Sequence, residues 1–149
     1  MVTSVSHIAL FVPDLQEAEK FYMDLFDMEL VGREIEKENG LWYTLPFNKG
    51  WEDAKAAGLD LDMIALRKGK FVLALFKGAN PPGQVYAIGL SATEKEIKDI
   101  HEKLSSDIKI DEFHPDRLEF MDPYRITWQI AVEPVFHTSG DFTNRWIFI

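Results

Sequence analysis

The chain has 149 residues, of which 25 are acidic and 16 basic, so its formal net charge is -9 at pH 7. This acidic balance disfavours nucleic acid and anionic membrane surfaces as partners, because both are bound through basic surfaces. The sequence contains no cysteine, which excludes disulfides, thiolate metal sites and cysteine nucleophiles. No stretch approaches the ~20 apolar residues of a membrane-spanning helix.

The first half of the chain predicts one strand, one amphipathic helix and several further strands. Residues 6–12 are apolar and strand-like, and Asp14 then has the position and side chain of an N-cap for a helix over residues 14–27. Further strands are predicted at 29–33, 42–45, 61–66 and 71–76. The segment 47–60, which contains Trp51, is predicted to be a loop with one helical turn.

The second half repeats this order after a Gly- and Pro-rich linker at residues 78–83. A strand is predicted at 84–91, a helix at 94–105 that begins after Thr93, and strands at 108–110, 117–121 and 127–132. A shift of 79 residues places Phe21 on Ile100 and Leu25 on Leu104 in the two helices. A sheet formed by two such modules can curl around a central pocket, with the helices outside.

Several motifs of this chain resemble the vicinal oxygen chelate superfamily, which includes glyoxalase I, bleomycin and fosfomycin resistance proteins and extradiol dioxygenases. They are the opening SHIALFVPDLQEAEKFYMDLFDMELVGRE and the later turn Phe120-Met121-Asp122-Pro123. The resemblance implies an α+β fold in which two βαβββ modules form an open, barrel-like sheet around a cavity. We predict one domain over 1–149, with module one at about 1–79, module two at about 84–132 and a C-terminal extension at 133–149.

The resemblance also implies positions for metal ligands, since enzymes of this superfamily hold one divalent metal in the cavity with His or Glu side chains. His7 stands at the first ligand position and is a candidate metal ligand. Ala74 and Tyr86 stand at two of the others and break the usual set, and Gln129 replaces the usual Glu. A neutral amide and a phenol with a pKa of ~10 are weak ligands for a dication. We therefore expect no cofactor, with a divalent metal at His7 as the alternative.

Strand alternation extends these positions to a predicted cavity lining, because residues two apart share one face of a sheet. The predicted ligand-binding residues are Phe11, Phe76, Tyr86, Ile88, Thr127 and Gln129. Candidate catalytic residues are His7, Tyr86 and Gln129, which form a small polar set in an otherwise apolar and aromatic cavity. Each of the three has a plain structural alternative, namely a buried side chain whose hydrogen bonds only satisfy its neighbours.

The sequence favours a glyoxalase/bleomycin resistance/dioxygenase-like protein that binds a small, mostly apolar molecule without metal. The alternatives are a metal-dependent lyase, isomerase or dioxygenase-like enzyme built around His7, and a purely structural module. By resemblance we expect a homodimer. The start of the chain has neither the basic residues nor the apolar run of a signal peptide, so we expect a cytoplasmic location. The apolar C-terminal extension could add a strand, close the cavity or pair with another subunit.

Overall fold

Nine strands and three helices make up the part of the chain that the computed structural model describes, namely residues 4–78, 81, 83–123, 125–133 and 143–149. In chain order they are β1 (Ser4–Val12), α1 (Leu15–Phe26), β2 (Glu29–Glu36), β3 (Trp42–Thr44), α2 (Trp51–Ala56), β4 (Met63–Lys68), β5 (Phe71–Lys77), β6 (Val85–Ser91), α3 (Glu94–Lys103), β7 (Lys109–His114), β8 (Arg117–Met121) and β9 (Thr127–Ala131).

All nine strands belong to one mixed sheet in the order β3-β2-β4-β5-β1-β6-β9-β8-β7. The order β2-β4-β5-β1 on one side of the centre is repeated as β7-β8-β9-β6 on the other. β1 joins the two halves, because it pairs parallel with β5 and antiparallel with β6. The predicted α+β fold of two βαβββ modules in an open sheet is therefore confirmed, with β3 added at one edge.

The two longer helices begin where the sequence predicts them. The Asp14 side chain accepts a hydrogen bond from the backbone N–H of Glu17 at 2.9 Å, which satisfies one free amide of the first turn of α1. α3 begins with a complete capping box, in which Thr93 and Glu96 each bond the backbone of the other. No helix among the described residues is long and apolar enough to cross a membrane.

Both helices lie on the same face of the sheet and bury its outward apolar side chains. α1 covers a cluster that includes Leu66 and Leu75, and α3 covers a second cluster that includes Leu118 and Ile130. The predicted apolar stripe of α1 is partly wrong, since Phe21 and Leu25 are 58% and 57% exposed. The face of α1 that meets the sheet carries Leu15, Ala18 and Tyr22 together with a buried glutamate, which forms an ion pair with β2.

That glutamate is Glu19, and its partner is Arg33 on the helix-bearing face of β2. Arg33 Nε donates to Glu19 Oε2 at 2.8 Å, and Arg33 NH2 donates to Glu19 Oε1 at 2.6 Å. The paired, parallel hydrogen bonds fix both the position and the rotation of α1 on the sheet. The Arg33 guanidinium also lies over the ring of Trp51, 5.3 Å from its centroid.

The segment 47–60 contains α2, which is longer than the single predicted turn. Its Ala54 is buried in the cluster beneath α1, and Trp51 packs against the same cluster. This segment therefore covers the helix-bearing face of the sheet and lies away from the opposite face, where the cavity is found.

The described part of the C-terminal extension runs beside the edge strand β3. Thr44 donates its N–H to the Arg145 carbonyl at 2.7 Å, and Ile147 donates its N–H to the Thr44 carbonyl at 2.8 Å. Ile147 is buried in the core beneath α1. Of the predicted alternatives, residues 143–149 thus extend the sheet at β3. The apolar pair Val135-Phe136 lies outside the described residues.

Candidate functional site

A cavity of about 320 Å³ lies on the face of the sheet that carries no helix. Ala9 and Ala87 from the two central strands lie at its floor, together with Met63 of β4. Ala9 and Ala87 pair directly across the boundary between the modules. Because two methyl groups fill far less space than the large side chains of the opposite face, the concave sheet keeps a space at its centre.

One wall of the cavity is aromatic. Trp42 of β3, Phe76 of β5 and Tyr86 of β6 line it together. The Phe76 ring is nearly perpendicular to the other two, with centroids 6.0 Å from Trp42 and 5.2 Å from Tyr86. Tyr86 also stacks on Phe11 at 5.1 Å, and Phe11 lines an adjoining recess. The structure thus brings three of the predicted lining residues together and adds Trp42, which was not predicted to be there.

Tyr86 lies at a bulge in the pairing of β1 with β6. The same bulge shows that one predicted lining residue, Ile88, does not face the cavity. The pairing of β1 with β6 shifts between Ala9 and Leu10, so Tyr86 is the extra residue of a bulge. Beyond the bulge Ala87 faces the cavity, whereas Ile88 pairs with Ile8 and Trp128. The prediction that Ile88 shares the cavity face with Tyr86 is wrong, because the bulge reverses the alternation. Ile88 lies on the helix-bearing face with Leu90, which packs beneath α3.

The His7 ring lies above Gly89 of β6 and contacts Gln129. Its Nε2 is 2.7 Å from Gln129 Oε1, and the ring is 0% exposed. Burial lowers the pKa of His7 to about 4, and the nearby Arg117 charge lowers it as well, while the hydrogen bond to Gln129 opposes both. At neutral pH the imidazole is therefore uncharged and donates from Nε2 to the amide oxygen.

Gln129 connects His7 to a charged network on β7 and β8. Its amide Nε2 donates to Glu119 Oε2 at 3.3 Å, and Arg117 NH2 donates to the same oxygen at 3.2 Å. Arg117 Nε lies 3.0 Å from Glu112 Oε2. Arg117, Glu119 and Gln129 all line the cavity. Of the predicted polar set, His7 and Gln129 are in direct contact, whereas Tyr86 lies at the aromatic wall.

Thr127 is buried and pairs with Ala87, which places it on the cavity side of β9, and it is not among the residues that line the cavity. Tyr86 has a raised pKa, mainly because it is partly buried and also because Glu119, Asp111 and Glu36 surround it with negative charge. Its phenol is therefore neutral at physiological pH. A role in ligand binding or catalysis for these predicted residues stays a prediction.

The side chains at the implied metal position do not fit a divalent cation. Ala74 offers no donor atom, and Gln129 offers a neutral oxygen that already accepts from His7. The His7 ring fills the space above Gly89, where even a Cβ would overlap it. The positive charge of Arg117 nearby further disfavours a dication. Over the described ranges, no group of three or more His, Cys, Asp or Glu side chains could hold a metal ion.

Sequence reasoning missed the most unusual ionisable group of the cavity, Glu34. It is 1% exposed and lines the cavity, and Thr44 Oγ1 donates to its Oε1 at 3.0 Å. Burial raises the pKa of Glu34 to about 7, although the Thr44 hydrogen bond and the charge of Arg145 oppose this. A second bulge lies in β2 between Leu30 and Gly32, and it decides on which face of the sheet Glu34 lies. Strict alternation along β2 therefore could not have predicted that Glu34 faces the cavity.

The C-terminal residues complete this side of the cavity. Thr143 and Arg145 both line it. Thr143 Oγ1 lies 2.7 Å from Thr44 Oγ1, and Arg145 Nε donates to the Trp42 carbonyl at 2.9 Å. The extension therefore also forms a wall of the cavity, which was one of the three predicted alternatives.

The architecture and its concave cavity agree with a comparison against known families. A model described as the Glyoxalase/Bleomycin resistance protein/Dioxygenase superfamily matches residues 4–106, more than half of the chain. The chain belongs to this superfamily. None of the curated proteins searched matches the sequence.

Solved structures of the superfamily show the same fold at low identity. A hypothetical protein from Bacillus halodurans C-125 is 12% identical with a TM-score of 0.52, over 86% of this chain and 92% of that chain. A variant of Streptomyces coelicolor methylmalonyl-CoA epimerase, in complex with 2-nitronate-propionyl-CoA, is 16% identical with a TM-score of 0.51, over 89% and 100%. A variant of homoprotocatechuate 2,3-dioxygenase from Brevibacterium fuscum is 18% identical with a TM-score of 0.51, over 89% of this chain and 33% of that chain.

Proposed function

We propose that this superfamily member binds a small, mostly apolar organic molecule in the concave cavity without using a metal. The observation that carries the proposal is the wall of Trp42, Phe76 and Tyr86 around a space of about 320 Å³. Ligand sites are typically concave, mostly apolar spaces of ~300–1,000 Å³ with a few placed polar groups. Here the polar groups of the lining are those of Glu34, Arg117, Glu119, Gln129, Thr143 and Arg145.

Tryptophan fluorescence combined with ligand-observed NMR tests this proposal. A library of small aromatic fragments is screened by NMR, and hits are titrated while tryptophan emission is recorded. We expect saturable binding whose fluorescence change disappears in Trp42→Phe and persists in Trp51→Phe, because Trp51 lies on the other face of the sheet. Binding that persists unchanged in both Trp42→Phe and Phe76→Ala would place the ligand elsewhere and refute the proposal.

The metal-dependent enzyme built around His7 is the competing function, and metal counting separates the two. The purified protein is offered Mn, Fe, Co, Ni and Zn in turn, and bound metal per chain is measured by mass spectrometry. We expect no stoichiometric metal, since the donor set at His7 does not fit one. Near-stoichiometric metal that is lost in His7→Ala would refute the metal-free proposal.

We also propose that the protein forms a homodimer, as its resemblance implies, and that it acts in the cytoplasm. Three apolar side chains of α1, namely Phe21, Leu25 and Phe26, are more than half exposed and support an interface on this helix. Light scattering coupled to size-exclusion chromatography would measure the mass. A dimer that becomes monomeric in Leu25→Glu supports the α1 interface, and a monomer in the unaltered protein refutes it. Cell fractionation tests the location.

A further inference from the structure

We propose that the ligand is an organic cation, an amine carried on an apolar or aromatic body, whose charged nitrogen lies between the Glu34 carboxylate and the aromatic wall. This inference rests on the proposed function and names the chemical class of its ligand. It follows from three properties of the described cavity: the position of the carboxyl group, the arrangement of the rings and the sign of the surrounding charge.

The carboxyl group and the aromatic rings are neighbours on the sheet. Glu34 pairs with Met63, and Met63 pairs with Phe76, so the three residues form one row across adjacent strands. On its other side Glu34 pairs with Thr44, and Trp42 follows two residues away on the same face of that strand. A ligand that rests against Met63 therefore meets a carboxylate on one side and aromatic rings on the other.

The three rings of the wall contact one another edge to face. Phe76 stands at 89° to Trp42 and at 86° to Tyr86, so the three rings do not lie in one plane. The face of an aromatic ring carries negative partial charge, and a cation placed over several such faces is attracted by each of them. Neutral aromatic ligands gain only the stacking contribution, so a ring of this wall that presents its face to the cavity favours a cationic nitrogen over a neutral group.

The charged groups around the cavity also favour a cation. Burial is the main reason that the pKa of Tyr86 is raised, and the negative charges of Glu119, Asp111 and Glu36 add to this effect at the aromatic wall. Arg117 points between Glu112 and Glu119, and its charge is neutralised there. Among the described lining residues the other cation is Arg145, which donates its Nε to the Trp42 carbonyl. At pH 8, where Glu34 is mostly ionised, the three carboxylates Glu34, Glu119 and Glu112 outnumber the two cations Arg117 and Arg145 by one charge.

Burial of Glu34 gives binding a pH dependence of known sign. The pKa of Glu34 is raised to about 7, so a large fraction of the carboxyl group is protonated at neutral pH. A bound cation favours the ionised form, and binding should therefore release a proton and strengthen as the pH rises through 7. His7 is uncharged over this range, since its pKa is lowered to about 4, and does not contribute to the change.

Three probes with one aromatic body but different charge test the inference: 2-phenylethylamine, 2-phenylethanol and 3-phenylpropanoate. Their dissociation constants are measured by ligand-observed NMR at pH 8, because Glu34 is mostly ionised at this pH. We expect the amine to bind about tenfold more tightly than the alcohol. We expect the propanoate to bind most weakly, and the preference for the amine to shrink when the pH is lowered to 6.

Two variants and a matched control test whether Glu34 and Phe76 cause the preference for the amine. Glu34→Gln should remove the amine preference and its pH dependence while retaining binding of the alcohol. Phe76→Leu keeps an apolar side chain but removes one ring, and it should reduce the preference severalfold. Glu29→Gln is the control on the same strand, since Glu29 is exposed and pairs with Arg67. It should behave as the unaltered protein does.

The possible failures are distinguishable. If the alcohol or the propanoate binds as tightly as the amine, and Trp42→Phe removes its fluorescence signal, the inference is overturned while the proposed function stands. The inference also fails if Glu34→Gln, confirmed as folded by circular dichroism, keeps the full amine preference. If none of the three probes binds and the fragment library yields no cavity ligand, both proposals fail together.

Discussion

The stability of the protein should depend on pH through Glu34, and substitution by glutamine should remove this dependence. The pKa of Glu34 is raised from its ordinary value of 4.5 to about 7 in the folded protein. The folded state therefore holds the proton more tightly than the unfolded state does. Its stabilising effect is complete below pH 4.5, and it is lost as the pH rises to about 7 and beyond.

The size of the effect follows from the same two values. At ~1.4 kcal/mol for each pH unit between them, the move from 4.5 to about 7 amounts to about 3 kcal/mol. His7 acts in the opposite sense, because its pKa falls from 6.5 to about 4. Its stabilising effect is present above pH 6.5 and is lost as the pH falls through 4. The two effects are similar in size, so between pH 4.5 and 6.5 they should nearly cancel in the unaltered protein.

Urea unfolding at half-unit steps from pH 4.5 to 8 measures both effects. The free energy of unfolding of Glu34→Gln, minus that of the unaltered protein, should rise by about 3 kcal/mol over this range. The variant alone should also gain stability between pH 4.5 and 6.5, since the His7 effect is then unopposed. Glu29→Gln serves as the control with an exposed carboxyl group. Parallel curves for the unaltered protein and Glu34→Gln would refute the reasoning.

Three further substitutions test the packing around the site by chemical unfolding. Gly89→Ala places a methyl group into the ring of His7 and should destabilise the protein by ~1–3 kcal/mol. Glu19→Ala leaves the partly buried Arg33 guanidinium without its paired carboxylate and should cost ~3–5 kcal/mol. Ile147→Ala creates a cavity beneath α1 and should cost ~2–5 kcal/mol, because this side chain is only 2% exposed.

Each of these three substitutions has a control that isolates the cause of its effect on stability. In a His7→Ala background the cost of Gly89→Ala should largely vanish, and equal costs in both backgrounds would contradict the overlap. Lys20→Ala removes an exposed ion pair to Asp24 and should leave the free energy of unfolding nearly unchanged. Phe148→Ala, at a side chain that is 92% exposed, should be similarly small, and a large cost there would contradict the described packing.

The sequence predicts the regular elements of this protein well, because their signals are local. Asp14 and Thr93 cap their helices as predicted, and the strand pattern of the two halves places every strand near its observed position. The predicted extents differ mainly at the ends. β7, for example, runs from Lys109 to His114, beyond the predicted 108–110. The family resemblance then adds the arrangement of two modules in one open sheet, which no local signal contains.

The cavity was harder to predict, because bulges decide which side chains face it. The family resemblance predicted Tyr86 at the cavity and alternation in β6 added Ile88, but the bulge at Tyr86 turned Ile88 to the opposite face. No local signal in the sequence marks the bulge in β2, which gives Glu34 its buried position at the cavity. Arg145 comes from a segment about 100 residues away from its contact at Trp42, a pairing that only the folded chain defines.

The long-range contacts of residues 143–149 also determine when the cavity can form during synthesis. Strands β1 to β9 can all leave the ribosome before this segment does, but the wall that contains Thr143 and Arg145 is then still missing. Thr44, at the edge of β3, pairs with Trp146, which is translated about a hundred residues later. Contacts of such large sequence separation form slowly, because a long loop must close first. A ligand-competent cavity should therefore be a late product of folding, formed after the sheet itself.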